Sequence, residues 1–227
     1  DLPAVIEFAK QHGLITMIDN TFASPVNFRP AEHGFDLSLH SATKYLNGHT
    51  DIAAGAIIGR ADLIEKIVPR LNHLGGHLDP NTCFLLNRGM KTLNLRVGYQ
   101  NQSAFALAQF LEKHPAVGEV KYPGLPGHPN HKRAKALLDG FGGMVSFEVV
   151  GGQETAERVI SQLKVAVEAP SLGGVETLVS IPALVSHSGL TDEERARSGI
   201  SDSLIRVSVG IEDSEELIDD FRQALEA

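Results

Sequence analysis

Apolar residues in this chain come in short bursts whose spacing alternates between a helical and a strand period, and each change of period marks an element. Pro3 opens a helical stretch over residues 3–12, with Val5, Ile6 and Phe8 set among Glu7 and Lys10, and Gly13 closes it. The run Leu14–Ile18 ends in Asp19-Asn20-Thr21, as a buried strand does when it meets a loop. Extended segments recur near residues 35–40 and at Ala53–Gly59, and Ala61–Leu71 returns to helical spacing. Helices alternating with strands predict an α/β fold. Residues 1–95 hold only a few strands of the larger sheet this alternation implies, so the chain is expected to begin in mid-domain, with a preceding half absent.

Asp79-Pro80 starts a long helical pattern through Phe84, Leu86, Leu93, Val97, Ala104, Leu107 and Leu111, with bends expected at Gly89 and Gly98, until His114-Pro115 stops it. Such a helix can join two domains, and its Leu-rich stripe is core packing to which no chemistry is assigned. Beyond Pro115 the spacing predicts strands at Val117–Tyr122, Met144–Val150 and Leu204–Val209, with a short extended piece at Leu178–Ile181. Helices are predicted at His131–Leu138, Glu154–Leu163, Asp192–Ser198 and Ser214–Leu225. Residues 96–227 are therefore expected to form the linking helix and a small C-terminal α/β domain.

The candidate chemistry begins in Leu37–Asp51, where an alternating run reaches Ser41, Thr43 and Lys44 and breaks at Asn47-Gly48. A lysine can form an imine with an aldehyde and hydroxyls can donate to a phosphate, so this cluster suits a phosphorylated carbonyl compound. The plainer alternative is a solvated lysine at a strand end. Asp19, also at a strand end, can partner a pyridinium nitrogen or cap the next turn. In Leu204–Gly210, alternation puts Ile205, Val207 and Val209 on one face and Arg206 with Ser208 on the other. A guanidinium held on a strand can grip a carboxylate with two hydrogen bonds or serve a structural ion pair. The loop Pro170–Thr177, with Ser171 and Gly173-Gly174, permits close backbone approach to a ligand.

Composition narrows the field. With 42% hydrophobic and 21% charged residues in 227, the chain is globular, and a net charge of −8 with no basic run argues against nucleic acid or an anionic membrane as partner. Cys83 stands alone, which excludes an intrachain disulfide and suits a reducing compartment. No signal peptide or spanning run is visible, so a cytoplasmic location is expected. His73 with His77, and His128 with His131, lack supporting ligands, and no metal site is expected. No phosphate-loop or dinucleotide glycine motif occurs.

Asp19-Asn20-Thr21-Phe22, Ser24-Pro25, Arg29-Pro30, His40–Tyr45 and Gly48-His49-Thr50-Asp51, followed by Ala54-Gly55, together resemble the Cys/Met-metabolism enzymes that depend on pyridoxal 5'-phosphate (PLP), a family that includes γ-synthases and γ-lyases. The resemblance implies a fold type I PLP-dependent transferase, with residues 1–95 as the latter part of the large, mostly parallel-sheet domain and residues 96–227 as linking helix and small domain. It implies that Lys44 is the Schiff-base lysine, Asp19 the partner of the pyridine nitrogen, and Ser41 and Thr43 phosphate ligands. It places Ser171 near Lys44 and the substrate carboxylate, and Arg206 on that carboxylate. Small amino-acid substrates and a homotetramer built from dimers are implied as well. Ala169-Pro170 ahead of Ser171 departs from several γ-lyases and, with Lys91-Thr92-Leu93, Gly127-His128-Pro129 and Gly140–Gly143, favours a cystathionine γ-synthase of the plant type. A γ-lyase of cystathionine or methionine is the alternative reading. A catalytically silent binding or assembly module is a further one, since the family's ring-stacking tyrosine has no counterpart to assign here.

Overall fold

The computed structural model describes all 227 residues and contains two sheets joined by a long helix. Helix α1 (Leu2–Gln11) is started by Asp1, whose carboxylate accepts the Ala4 N–H at 3.2 Å, and it turns Ile6 and Ala9 inward. Ile6 packs with Phe28 and Phe35 in a small core. Strand β1 (Met17–Asp19) pairs in parallel with β2 (Leu37–Ser41), so the chain must cross over between them. The short helix α2 (Ser24–Asn27) and a 3₁₀ turn (Pro30–His33) make that crossing. Asp36 clamps its lower end: one oxygen accepts the Thr16 N–H and hydroxyl at 2.8 and 2.9 Å, and the other takes Arg60 at 2.7 Å. Strand β3 (Gly55–Gly59) runs antiparallel on the other side of β2. The mostly parallel sheet implied by resemblance is represented in this chain by one parallel and one antiparallel pairing around β2.

Helix α3 (Ala61–Leu74) follows, and then the single long helix of the sequence pattern divides in two, α4 (Pro80–Met90) and α5 (Leu93–Leu111). The break has a tertiary cause. At Gly89, α4 presses on the loop after Lys44 so closely that a Cβ there would collide with the Asn47 carbonyl oxygen. The Gly89 carbonyl accepts Arg96 Nη2 at 2.8 Å, so an arginine from α5 closes the turn. Gly98 lies within α5, which continues through it as helix.

The second sheet is built from β4 (Val117–Lys121), β5 (Met144–Val149), β6 (Val167–Glu168), β7 (Leu178–Ser180) and β8 (Leu204–Ser208), in the order β4-β5-β8-β7-β6. Strand β6 escapes sequence patterning because it has two residues and no apolar alternation; only its pairing with Leu178 and Val179 defines it. Helices α6 (His131–Leu137), α7 (Gln153–Gln162), α8 (Asp192–Arg197) and α9 (Ser214–Glu226) fill the connections. Leu107 and Leu111 of α5, Phe147 of β5, Ile205 and Val207 of β8, and Leu217 and Phe221 of α9 are completely buried in one core. Alternation therefore assigned the inward face of β8 correctly.

Phe147 and Phe221 meet edge to face with centroids 6.0 Å apart and join α9 to the sheet. Nearby, Asp220 accepts the N–H groups of Lys164, Val165 and Ala166 at 2.8, 2.9 and 3.1 Å, holding the exit of α7. No helix is long and apolar enough to cross a membrane. Phe221→Ala is expected to lower unfolding free energy by about 3–5 kcal/mol, as buried aromatic truncations do, measured by urea denaturation.

Candidate active site

Because β1 and β2 are parallel, their carboxyl ends lie side by side, the position where open α/β sheets hold ligands. The Asn20 N–H donates to the Leu39 carbonyl at 2.9 Å, and the Ser41 N–H donates to the Thr21 hydroxyl oxygen at 2.8 Å. The Thr21 N–H in turn donates to Asp19 at 2.9 Å, so Asp19 and Ser41 share one edge through Thr21. Hydrogen bonds from the Thr21 side chain and backbone hold the Asp19 carboxyl below the usual carboxylate range, against a small opposing effect of burial. Asp19 is thus ionised and exposed, and it caps the turn while presenting its charge outward.

Lys44 follows in the turn after β2. Its Nζ donates to Ser171 Oγ at 2.9 Å, a contact that spans 127 positions. Arg206 on β8 uses Nη2 to donate to the Pro170 and Ser171 carbonyls at 2.9 and 3.2 Å. Lys44, Ser171 and Arg206 therefore meet, as the resemblance implied, and two cations share the place with no carboxylate in ion-pair contact with either. Burial chiefly, and the Arg206 charge secondarily, push the Lys44 ammonium below the ordinary lysine value. An amine so placed is a better nucleophile near neutral pH than a solvated lysine. Thr43 stands apart: its hydroxyl accepts the Ala54 N–H at 2.9 Å and donates to the Ala54 carbonyl at 3.3 Å, tethering the turn to the start of β3.

Several residues that patterning left without a role hold this junction. Tyr45 is buried beside Leu172, and Gly173, at φ +73°, comes so near that an added Cβ would lie 2.8 Å from the Tyr45 backbone nitrogen and 3.0 Å from its ring. Arg96 is 5% exposed and spends its guanidinium on Tyr45 O at 3.0 Å, Gly89 O at 2.8 Å and the Thr92 hydroxyl at 3.1 Å. Gln100, fully buried on α5, donates from Nε2 to the carbonyls of Gly174 and Val209 at 2.8 and 3.0 Å. Glu212 accepts the Thr177 N–H and hydroxyl at 2.5 and 2.7 Å. The signal for Arg96 and Gln100 was two polar residues four apart inside an apolar stripe.

His128 and His131 serve local turns: His128 Nδ1 accepts the Asn130 N–H at 3.2 Å, and His131 Nδ1 bonds the Pro123 carbonyl at 2.8 Å. No three His, Cys, Asp or Glu side chains are grouped so as to hold a metal ion.

An ionised acid at one strand end, a hydroxyl at the next, and an amine of lowered basicity facing an arginine form a donor set suited to a phosphorylated pyridine aldehyde and an amino acid. The pattern of the Cys/Met metabolism PLP-dependent enzyme family matches residues 1–226, and the chain belongs to that family. It is 48% identical to cystathionine γ-synthase 1, chloroplastic, of Arabidopsis thaliana over all 227 residues, which cover 40% of that relative. It is 45% identical to a cystathionine γ-lyase of Bacillus subtilis, again over the whole chain and over 60% of the relative. In structure it superposes with a TM-score of 0.96 and 44% identity on cystathionine γ-synthase from Xanthomonas oryzae pv. oryzae in complex with cystathionine, covering all of this chain and 59% of that one. The chain thus spans 40–60% of the length of the named relatives it matches.

The lowered Lys44 basicity gives a signed expectation. Since the folded state holds this proton less tightly than the unfolded chain, stability rises with pH between the depressed Lys44 midpoint and an ordinary lysine value of about 10.4. Arg206→Gln is expected to move the Lys44 midpoint upward, while burial keeps it below the ordinary value; the pH dependence of Lys44 acylation, read by peptide mass spectrometry, measures the shift. A midpoint that stays or falls contradicts the assignment of the Arg206 charge as a cause.

Proposed function

We propose that the protein carrying this chain is a PLP-dependent trans-sulfuration enzyme acting on small amino acids, and that its reaction is the γ-replacement of a cystathionine γ-synthase. The observation that carries this reading is the convergence of Lys44 Nζ, Ser171 Oγ and the Arg206 guanidinium at the edge that also bears Asp19 and Ser41. PLP, when bound, supplies an electron sink for negative charge developed next to an amino group. Lys44 would hold its carbonyl end, Asp19 its ring nitrogen and Ser41 its phosphate. Thr43 would join Ser41 by turning its hydroxyl hydrogen away from the long 3.3 Å bond to Ala54 O.

Both hydrogen bonds of Arg206 to the loop use Nη2, which leaves its other N–H groups for a substrate α-carboxylate. A substrate so gripped presents Cα to Lys44. Once the substrate amine has replaced it, the freed Lys44 Nζ, its basicity lowered, would take the Cα proton and then move protons at Cα and Cβ, while Ser171 Oγ keeps the amine directed. In γ-replacement the activated oxygen substituent leaves Cγ with its bonding pair. The sulfur of cysteine then brings the pair for the new C–S bond, and its proton passes to solvent. Ala169-Pro170 ahead of Ser171, where several γ-lyases carry glutamate or a small aliphatic residue, supports the synthase over the lyase. Relatives of both names share similar identity with this chain. A homotetramer built from dimers belongs to the same reading.

Borohydride reduction of the protein with PLP is expected to label Lys44 alone, found by mapping the modified peptide; a folded protein with no label at Lys44 sinks the enzyme reading. With activated homoserine and cysteine the product is expected to be cystathionine, and faster consumption than formation of cystathionine contradicts the synthase reading. Arg206→Leu is expected to lower kcat/KM about 10²- to 10³-fold by removing a charged hydrogen-bond pair, with folding retained on thermal melting.

A further inference from the structure

We propose that Ser208 is a positioning residue that seats the Leu172–Gly173 backbone against Tyr45 and thereby fixes Ser171 Oγ on Lys44 Nζ. This rests on the placement of Lys44 and Ser171 described above and adds a residue whose alternation with Arg206 gave it no role. Ser208 Oγ accepts the Gly173 N–H at 2.8 Å. It does so from a firm base, since Ser208 ends the central strand β8, is 1% exposed, and lies in register with Met144 of β5 and Leu178 of β7.

The contact works through Gly173. That residue has no side chain and φ of +73°, and a Cβ added to it would lie 2.8 Å from the Tyr45 backbone nitrogen and 3.0 Å from the ring, so a side chain there would force the two apart. Ser208 therefore backs the loop from the second sheet while Tyr45, one residue after Lys44, stops it from the first. Gln100 fixes the next residue, Gly174, through its carbonyl. Ser171 lies two positions before the clamped glycine, and its hydroxyl reaches Lys44 at 2.9 Å. Without the Ser208 oxygen the buried Gly173 N–H loses its acceptor, a cost that favours states with the loop withdrawn from Tyr45. Ser171 then leaves Lys44, and the amine becomes more accessible.

The test uses cofactor-free intact protein and an amine-acylating reagent at limiting dose, with Lys44 modification scaled to that of the exposed Lys132. Ser208→Ala is expected to raise relative Lys44 labelling about fivefold, the population change expected for one lost hydrogen bond, and to speed deuterium uptake in the peptide spanning residues 170–177. Ser171→Ala is expected to raise labelling similarly, and the double variant no further, because Ser208 acts through Ser171. Unchanged labelling in Ser208→Ala, or an equal additional rise in the Ser171→Ala background, overturns the proposal. Should Ser208→Ala not fold, Ser208→Cys, close in volume and a weaker acceptor, carries the same two outcomes. The readout needs no bound PLP, so a failed borohydride trap and a failed coupling test remain separate results.

Discussion

Gly173 and Tyr45 touch backbone to ring, and residues from β8 and from α5 hold that contact closed. One side of it belongs to the turn after β2 and the other to a loop before β7, more than a hundred positions later. Arg96 holds the Tyr45 carbonyl, Gln100 holds Gly174, and both arise from α5, which also packs Leu107 and Leu111 into the second core. One helix therefore grips both sides of the contact and anchors itself in the fold. A buried guanidinium bonded only to neutral oxygens is costly to desolvate. Its position here sets a carbonyl one residue from Lys44, which gives the cost a purpose that an apolar side chain cannot serve.

The same arrangement shapes the electrostatics. Two cations, Lys44 and Arg206, are brought together with loop carbonyls and a hydroxyl as their only partners. That leaves a region of positive potential, and the burial of Lys44 chiefly, with the Arg206 charge beside it, lowers the basicity of its amine. Asp19, on the adjacent sheet edge, is kept ionised by Thr21. Asp19 and Lys44 would thus offer the proposed cofactor a fixed negative charge and a destabilised positive one.

Much of this was legible in the order of residues. The α/β alternation, the inward face of β8 and the cluster Ser41–Lys44 followed from periodicity and residue type, and the family resemblance linked that cluster to Asp19, Ser171 and Arg206. Three features were not legible, each for a physical reason. The split of the long helix at Lys91-Thr92 follows from contact with Asn47, a tertiary cause that helical spacing cannot register. Strand β6 is too short for any period to show. Arg96, Gln100 and Ser208 work through backbone carbonyls and N–H groups, partners that leave no complementary residue elsewhere in the sequence. Thr43 shows the reverse case, a hydroxyl with the residue type of a phosphate ligand whose bonds are made to its own turn.

Lys44 is proposed as the residue on which the cofactor is held, with Asp19 and Ser41 beside it. A crystal structure of the protein grown with PLP tests this directly. The expected result is continuous electron density from Lys44 Nζ into the carbonyl carbon of PLP, with the Asp19 carboxylate against the ring nitrogen. Density that ends at Nζ while PLP is ordered elsewhere would contradict it.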